Sequence, residues 1–185
     1  MWTVDLRRRA ELSPDELAEQ RDLGLRAWAA SEEPDARYPF GITWAPPTWL
    51  ALVRDPASSR LIGRAGLLER RIRWGDREVP AGGLSSVSTD PDYRGQGVAG
   101  AAVQRLMALL CDELGAQVGL LIASQMGRPV YARLGWQVLD GSLRCEQPDG
   151  PLVWTDAFPD KAAMAFACGG RPLPSGDVDL QGLPW

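Results

Sequence analysis

Histidine is absent from all 185 residues. That excludes Ser-His-Asp and Cys-His catalysis, together with the usual histidine-bearing zinc sites, and no metal is expected. Proton transfer must therefore use a carboxylate, a tyrosine, water or the substrate itself. Cysteine is scarce, and Cys111, Cys145 and Cys168 form an odd set without metal-ligand spacing. Cys111 falls in an apolar helical pattern and is expected as a buried thiol. That suits a reducing, cytoplasmic setting better than a disulfide framework. No apolar run approaches membrane-spanning length, and the opening "MWTVDLRRRA" is too polar for a signal peptide. Positive charge is not in excess either. A net charge of −4 gives no general attraction to nucleic acid or an anionic membrane and weakly favours cationic partners. Internal repeats and low-complexity segments are missing.

What remains is an ordinary globular composition, 45% apolar and 24% charged, over a length that suits one domain spanning 1–185. "WTVDLRR" (Trp2–Arg8) is β-compatible. A helix follows, with Ser13 as N-cap, Pro14 at its first position and Glu16 completing a capping box. Ser31–Trp49 is rich in proline, acids and aromatics and reads as an ordered surface loop. Trp49–Asp55 and Arg60–Trp74 are strand patterns, and a Gly75-Asp76 turn leads into Arg77–Thr89, forming a β-hairpin. Pro80 and Gly82-Gly83 suggest a bulge or splay in its second strand. "VAGAAVQRLMALLCDELG" is an amphipathic helix with Val103, Leu106, Leu110 and Leu114 on one face and Gly115 as its stop. Val118–Ser124 is an all-apolar, parallel-type strand, Gly127–Gly135 a short helix, and Lys161–Gly169 a candidate last strand. The tail over 170–185 ends in Leu-Pro-Trp, which suggests a tethered terminus. The fold class is α+β, with a mixed, mostly antiparallel sheet flanked by helices.

One stretch, "STDPDYRGQGVAGAAVQRL", can be parsed in two ways. Gly95 to Gly100 spell G-x-G-x-x-G, the dinucleotide fingerprint. That motif should follow its strand directly, and an acid should come about 20 residues later. Here Asp90 to Arg94 intervene, two antiparallel strands precede, and the next strand ends in Ala123-Ser124, so the reading fails. Shifted by one residue, Arg94 to Ala99 spell R-x-x-G-x-A. Backbone amides at a helix N-terminus converge on a diphosphate, helped by the macrodipole and by the Arg94 cation. A glycine-rich helix start without a ligand is the alternative.

With its flanking segments, "LSSVSTDPDYRGQGVAGAAVQRLM", followed by "VGLLIAS" and "GRPVYARLGW", resembles the acetyl-CoA site of the GNAT N-acetyltransferase superfamily across about 49–138. The resemblance implies the GNAT acyltransferase fold, its sheet splayed at the acetyl-CoA site. It also implies acetyl-CoA as cosubstrate. Arg94, Gly95, Gln96, Gly97, Val98, Ala99 and Gly100 are then expected around the pyrophosphate. Val87, Ser88 and Thr89 are expected along the pantetheine arm, with Ser124 on the neighbouring strand.

Acetyl transfer from a thioester to an amine gains much of its rate from proximity. A backbone N–H near Val87 can polarise the carbonyl. Tyr131 matches the family tyrosine that protonates the departing thiolate; a tyrosine merely packed between helix and sheet is the competing view. The positions that carry a carboxylate base in many relatives are Ser85 and Ser86, whose hydroxyls can only orient a water. Glu32, Glu33, Asp35 and Glu69 are candidates for binding and deprotonating a cation instead, or simply solvated acids.

A closer likeness is to the aminoglycoside 2′-N-acetyltransferases. It rests on "ERRIRWGDREVPAGGLSSVSTDPDYRG", "PVYARLGW", "GSL…PDGP" and the terminal "DLQGLPW". It implies a small cationic amine substrate, held by Glu32, Glu33, Asp35, Asp179 and Trp185, with no nucleic-acid or membrane partner; a homodimer is compatible with it. Two departures stand out: Ser85-Ser86 replace a Glu-Gly, and Pro184 replaces an acid. Trp185 as an aromatic plug, another amine or a protein N-terminus as substrate, and a non-catalytic acyl-CoA-binding module stay open as alternatives.

Overall fold

The computed structural model describes residues 2–29, 42–154 and 161–185. Its frame is one mixed sheet. Strand β1 (Val4–Arg8) leads into helix α1 (Pro14–Ala29), and the expected capping box forms there. The Glu16 N–H donates to Ser13 Oγ at 3.2 Å, and the Ser13 N–H donates to Glu16 Oε2 at 2.8 Å. Strands β2 (Trp49–Arg54), β3 (Leu61–Trp74) and β4 (Arg77–Thr89) form an antiparallel meander. Helix α2 (Val98–Ala108) then runs into a π-helical turn at Leu109–Glu113. Strand β5 (Val118–Ala123) and helix α3 (Arg128–Arg133) follow. The remaining strands are β6 (Gln137–Val138), β7 (Leu143–Cys145), β8 (Leu152–Val153), β9 (Ala162–Ala167) and β10 (Val178–Asp179). The principal order is β6-β9-β5-β4-β3-β10-β7-β8, with β2 and β1 branching from the first half of β3. Among the described residues only β4–β5 and β7–β10 are parallel, so the sheet is mostly antiparallel as expected.

Burial explains the layering. Val98, Ala102, Val103, Leu106 and Leu110 of α2 and its extension bury the helical stripe against Ala65, Leu67, Leu84 and Leu121 of the sheet. A second cluster gathers Ile72, Trp74, Leu120, Ala165, Leu180 and Trp185. The strands that supply both clusters alternate their side chains between the two faces of the sheet.

The structure departs from the sequence pattern at three places. The irregularity in β4 is not at Pro80 and Gly82-Gly83, which pair regularly with Arg71, Glu69 and Leu68. It lies at Ser86-Val87, two residues opposite the single Ala65, and Ser86 adopts φ +53°. Lys161–Gly169 does not hold the last strand, because β10 in the tail pairs antiparallel to β3 and parallel to β7. Two residues of ladder carry too weak a period to be read from sequence. The long loop expected over Ser31–Trp49 falls largely outside the described residues, apart from 42–48. Finally, Cys111 is no free thiol. It is disulfide-bonded to Cys168, 57 residues away, with a Cα–Cα distance of 5.2 Å. The π-helical turn and the turn after β9 bring the pair together, anchored by the Cys168 N–H donating to the Gln117 carbonyl at 2.9 Å. The pairing removes the cysteine-based ground for a reducing compartment. Cys145 is the buried free thiol instead, pushed up to about 11 by burial in the second cluster and by the nearby Asp179 charge. Among the described residues no helix is long and apolar enough to cross a membrane.

Candidate active site

The β4–β5 ladder runs from Ala81↔Val118 to Leu84↔Leu121 and stops, although β5 continues to Ala123 and β4 to Thr89. The Ser86-Val87 bulge follows this last pair after one residue, Ser85. Kinking one strand just where pairing ends opens a wedge between two parallel neighbours. A cavity of about 480 Å3 occupies the open side of the wedge. Its walls come from the end of α1, the second half of β4, the start of α2, Ser124 beyond β5, and α3.

The loop between β4 and α2 is held from several sides. Asp90, 1% exposed, caps the Pro91–Tyr93 turn by accepting the Asp92 N–H at 3.2 Å. Its carboxylate also pairs with Arg26 of α1 at 3.3 Å and with Arg60. Burial alone would raise this carboxyl, but the Arg60 hydrogen bond, the Asp92 N–H and Arg26 together hold it below the usual range. Arg94 Nη2 donates to the Ala27 carbonyl at 2.7 Å, tying the loop to the last turn of α1. Gly97 is the N-cap of α2, with φ +80° and ψ 7°, a left-handed conformation that glycine adopts without strain. A side chain built at Gly95, Gly97 or Gly100 would meet nothing within 4 Å, so this rim is bare backbone. The first N–H groups of α2 lack intrahelical acceptors, which makes the bare rim suited to an anion.

At the other wall Ser124 anchors the turn that leads into α3, whose N-cap is Gly127. Its carbonyl accepts the N–H groups of Gly127 and Arg128 at 3.1 and 3.0 Å, and its hydroxyl accepts the Gly127 N–H at 3.1 Å. That turn aims Tyr131 inward, where it lines the cavity while remaining 8% exposed. Trp136 meets the Tyr131 ring edge-on at 6.2 Å and is fixed by donating to Met107 Sδ at 3.2 Å. Burial pushes the Tyr131 phenol well above its ordinary value, so it stays protonated at neutral pH.

Val87, Ser88, Thr89, Arg94, Gly95, Gly97, Val98, Ala99, Gly100, Ser124 and Tyr131 all line one cavity. Gln96 does not; its side chain donates to the Asp92 carbonyl at 3.1 Å outside the wall. Ser85 precedes the bulge, its hydroxyl buried without a hydrogen-bond partner, and Ser86 forms the bulge itself. Glu69 accepts a short hydrogen bond from Thr48 Oγ1. Asp179 accepts the Gln181 N–H at 2.9 Å and faces Arg144 at 3.9 Å. Trp185 is 3% exposed. Glu32, Glu33 and Asp35 lie outside the described residues. Sequence reasoning missed Ala27, Trp28, Met126, Gly127, Val130, Arg133 and Leu134 among the lining residues. Leu134 sits three residues after Tyr131 and four after Val130, a helical spacing that could have found both. Trp28 reaches the site only through the packing of α1. Among the described residues no cluster of three or more His, Cys, Asp or Glu could hold a metal ion.

Comparison with known proteins agrees with this geometry. A curated relative, the aminoglycoside 2′-N-acetyltransferase of Mycolicibacterium fortuitum, is 34% identical over 90 residues, or 49% of this chain. The match spans 45% of that protein, so less than half of its length is represented. A GNAT family acetyltransferase from Brucella melitensis, solved with acetyl-CoA, aligns with a TM-score of 0.59 at 18% identity, over 95% of this chain and 94% of that one. The Escherichia coli GNAT protein YhbS, solved with CoA, aligns at 0.58 and 17% identity, over 98% and 91%. At such identities these two likenesses speak for the fold alone, a GNAT acyltransferase fold. The Acetyltransferase (GNAT) domain family itself matches residues 10–139, a range that takes in the wedge, the phosphate-type loop and Tyr131 alike, and the chain belongs to that family of N-acetyltransferases.

Proposed function

We propose that this acetyltransferase moves the acetyl group of acetyl-CoA onto a primary amine of a small cationic molecule, an aminoglycoside acetylated at its 2′-amine. The carrying observation is the 34% identity to an aminoglycoside 2′-N-acetyltransferase. The residues present fit the cosubstrate. Gly95, Gly97 and Gly100 present bare backbone at the N-terminus of α2, where a diphosphate is favoured. Val87, Val130 and Leu134 supply apolar lining between that rim and Tyr131.

The roles of the chain's own groups follow. The bulged backbone at Ser86-Val87 carries N–H groups that the β4–β5 ladder does not use, suited to polarising a thioester carbonyl. The amine lone pair attacks that carbonyl, and the C–N bond forms as the C–S bond breaks. Sulfur takes the phenolic proton of Tyr131, the surplus amine proton passes to water, and solvent reprotonates the tyrosine. Burial keeps the phenol protonated at neutral pH while making it a weaker acid than a free tyrosine, so its positioning beside the leaving sulfur carries the role. Ser85 and Ser86 supply no base, since the Ser85 hydroxyl is buried and neither residue lines the cavity.

A thiol-release assay with acetyl-CoA against a panel of aminoglycosides, polyamines and peptide N-termini tests this reading. Turnover confined to aminoglycosides, with the product acetylated at the 2′-amine, is expected. Turnover of peptides alone would replace the substrate, and CoA binding without turnover of any amine would refute the assignment as a whole.

A further inference from the structure

The loop that faces the cavity is tied down by a residue far away in sequence and outside the cavity wall. Trp2, just ahead of β1, donates its indole N–H to the Gln96 carbonyl at 2.8 Å. Its ring meets Tyr93 edge-on at 6.2 Å and packs against the α2-side core. Tyr93 in turn stands near Asp55 in the turn after β2 and helps to hold that carboxyl below its ordinary range. The indole is therefore held in place by its own packing, and its N–H acts as a fixed donor.

The consequence lies on the far side of the peptide bond. Gln96–Gly97 is a trans peptide, like the rest of the described chain. In a trans peptide the C=O and the next N–H point in opposite directions across one rigid plane. The Gln96 carbonyl is directed at Trp2, outside the cavity wall, so the Gly97 N–H is directed the other way. Gly97 lines the cavity, whereas neither Gln96 nor Trp2 does. Gly97 sits in the left-handed region, and the bare glycines on either side of Gln96 leave this peptide few steric constraints of its own. Without an outside acceptor–donor contact, such a peptide can turn over and present a carbonyl to the anion instead.

We infer that Trp2 is a positioning residue: its indole N–H locks the Gln96–Gly97 peptide so that the Gly97 N–H faces the diphosphate of the cosubstrate. The inference rests on the acetyl-CoA reading above but needs no knowledge of the acceptor amine. The Trp2 hydrogen bond ends on the loop at the N-terminus of α2, whereas Val87, Ser88 and Tyr131 line the pantetheine side from β4 and α3. That gives the role a signature. Loss of the donor weakens ligands that carry the diphosphate and spares ligands that lack it.

The test compares wild type, Trp2→Phe and Trp2→Leu in the full chain, using calorimetric titration of CoA and dephospho-CoA and competition by pantetheine. Trp2→Phe keeps an aromatic ring against Tyr93 and removes only the donor. It is expected to weaken both diphosphate ligands about three- to tenfold, the range of one lost hydrogen bond, and to leave pantetheine unchanged. Trp2→Leu is expected to do the same and also to lower Tm. Unchanged CoA affinity in a folded Trp2→Phe protein would overturn the inference. Equal weakening of pantetheine would overturn it too, by showing a general structural role. No CoA binding by the wild type would bring down the acetyl-CoA reading itself, and this inference with it.

Discussion

The guanidinium of Arg70 lies 5.0 Å from the ring centroid of Trp185, and it also donates to the carbonyls of Leu180 and Leu183, at 3.3 and 2.9 Å. One β3 side chain thus grips the tail at three points. The Trp185 ring lies over Gly83 of β4 so closely that a Cβ there would fall 1.7 Å from a ring atom. The Ala45 N–H donating to the Pro184 carbonyl at 2.7 Å closes the arrangement. Gly83 is therefore a seat for the indole, two residues before Ser85 at the mouth of the wedge.

Gly83→Ala is expected to lift Trp185 off the sheet and to destabilise the protein by roughly 1–3 kcal/mol, as overpacking does. Trp185→Ala, which leaves a cavity instead, is expected to cost about 3–5 kcal/mol. Urea unfolding followed by tryptophan fluorescence measures both. A Gly83→Ala protein as stable as wild type would show that the ring has another resting place.

Tyr131→Phe is expected to lower kcat by about a hundred- to ten-thousand-fold, the usual contribution of a positioned general acid. Burial raises the phenol above its ordinary value near 10. The wild-type pH–kcat profile should therefore show no alkaline decline from this residue below about pH 10. A decline near pH 9 that disappears in Tyr131→Phe would contradict the assignment. Stability follows the same sign: the unfolded state releases this proton first, so the folded state loses ground as pH rises past about 10.

Asp90 is buried between two arginines that are themselves only about half covered. Asp90→Asn is expected to cost about 1–3 kcal/mol at pH 7, less than breaking a fully buried pair. Its carboxyl is held below the ordinary range, so the stabilisation is present above about pH 4 and is lost as pH falls through the folded value. The gap between wild type and Asp90→Asn should therefore narrow in urea melts taken between pH 7 and pH 3. A gap independent of pH would assign the loss to packing alone.

The Cys111–Cys168 bond closes a loop of 57 residues. Chain entropy predicts a loss on the order of 4 kcal/mol when it is reduced. Reduction, or Cys111→Ser, is expected to lower Tm by several degrees, while Cys145, buried and held protonated, resists thiol reagents in the folded state. Rapid labelling of all three cysteines without reductant would rule out the bond.

Much of this protein was decided locally. The capping box at Ser13, the Gly75-Asp76 hairpin and the α2 stripe with its Gly115 stop each depend on neighbours within a few residues. They were legible for that reason, and so was the R-x-x-G-x-A loop, whose glycines and helix start lie in one segment. Tyr131 was found through resemblance, and its place in the cavity follows from the turn that Ser124 anchors just ahead of α3. The rest depended on contacts between distant segments. The β4 bulge arises from register against β3, so it fell at Ser86-Val87 although Gly82-Gly83 carried the stronger local signal. Those glycines turned out to be space left for Leu110 and Trp185. The disulfide, β10, the grip of Arg70 on the tail and the hand of Trp2 on Gln96 join residues 57 to 113 positions apart or more than one strand away. No periodicity encodes such pairings; only the closing of the sheet brings them within reach.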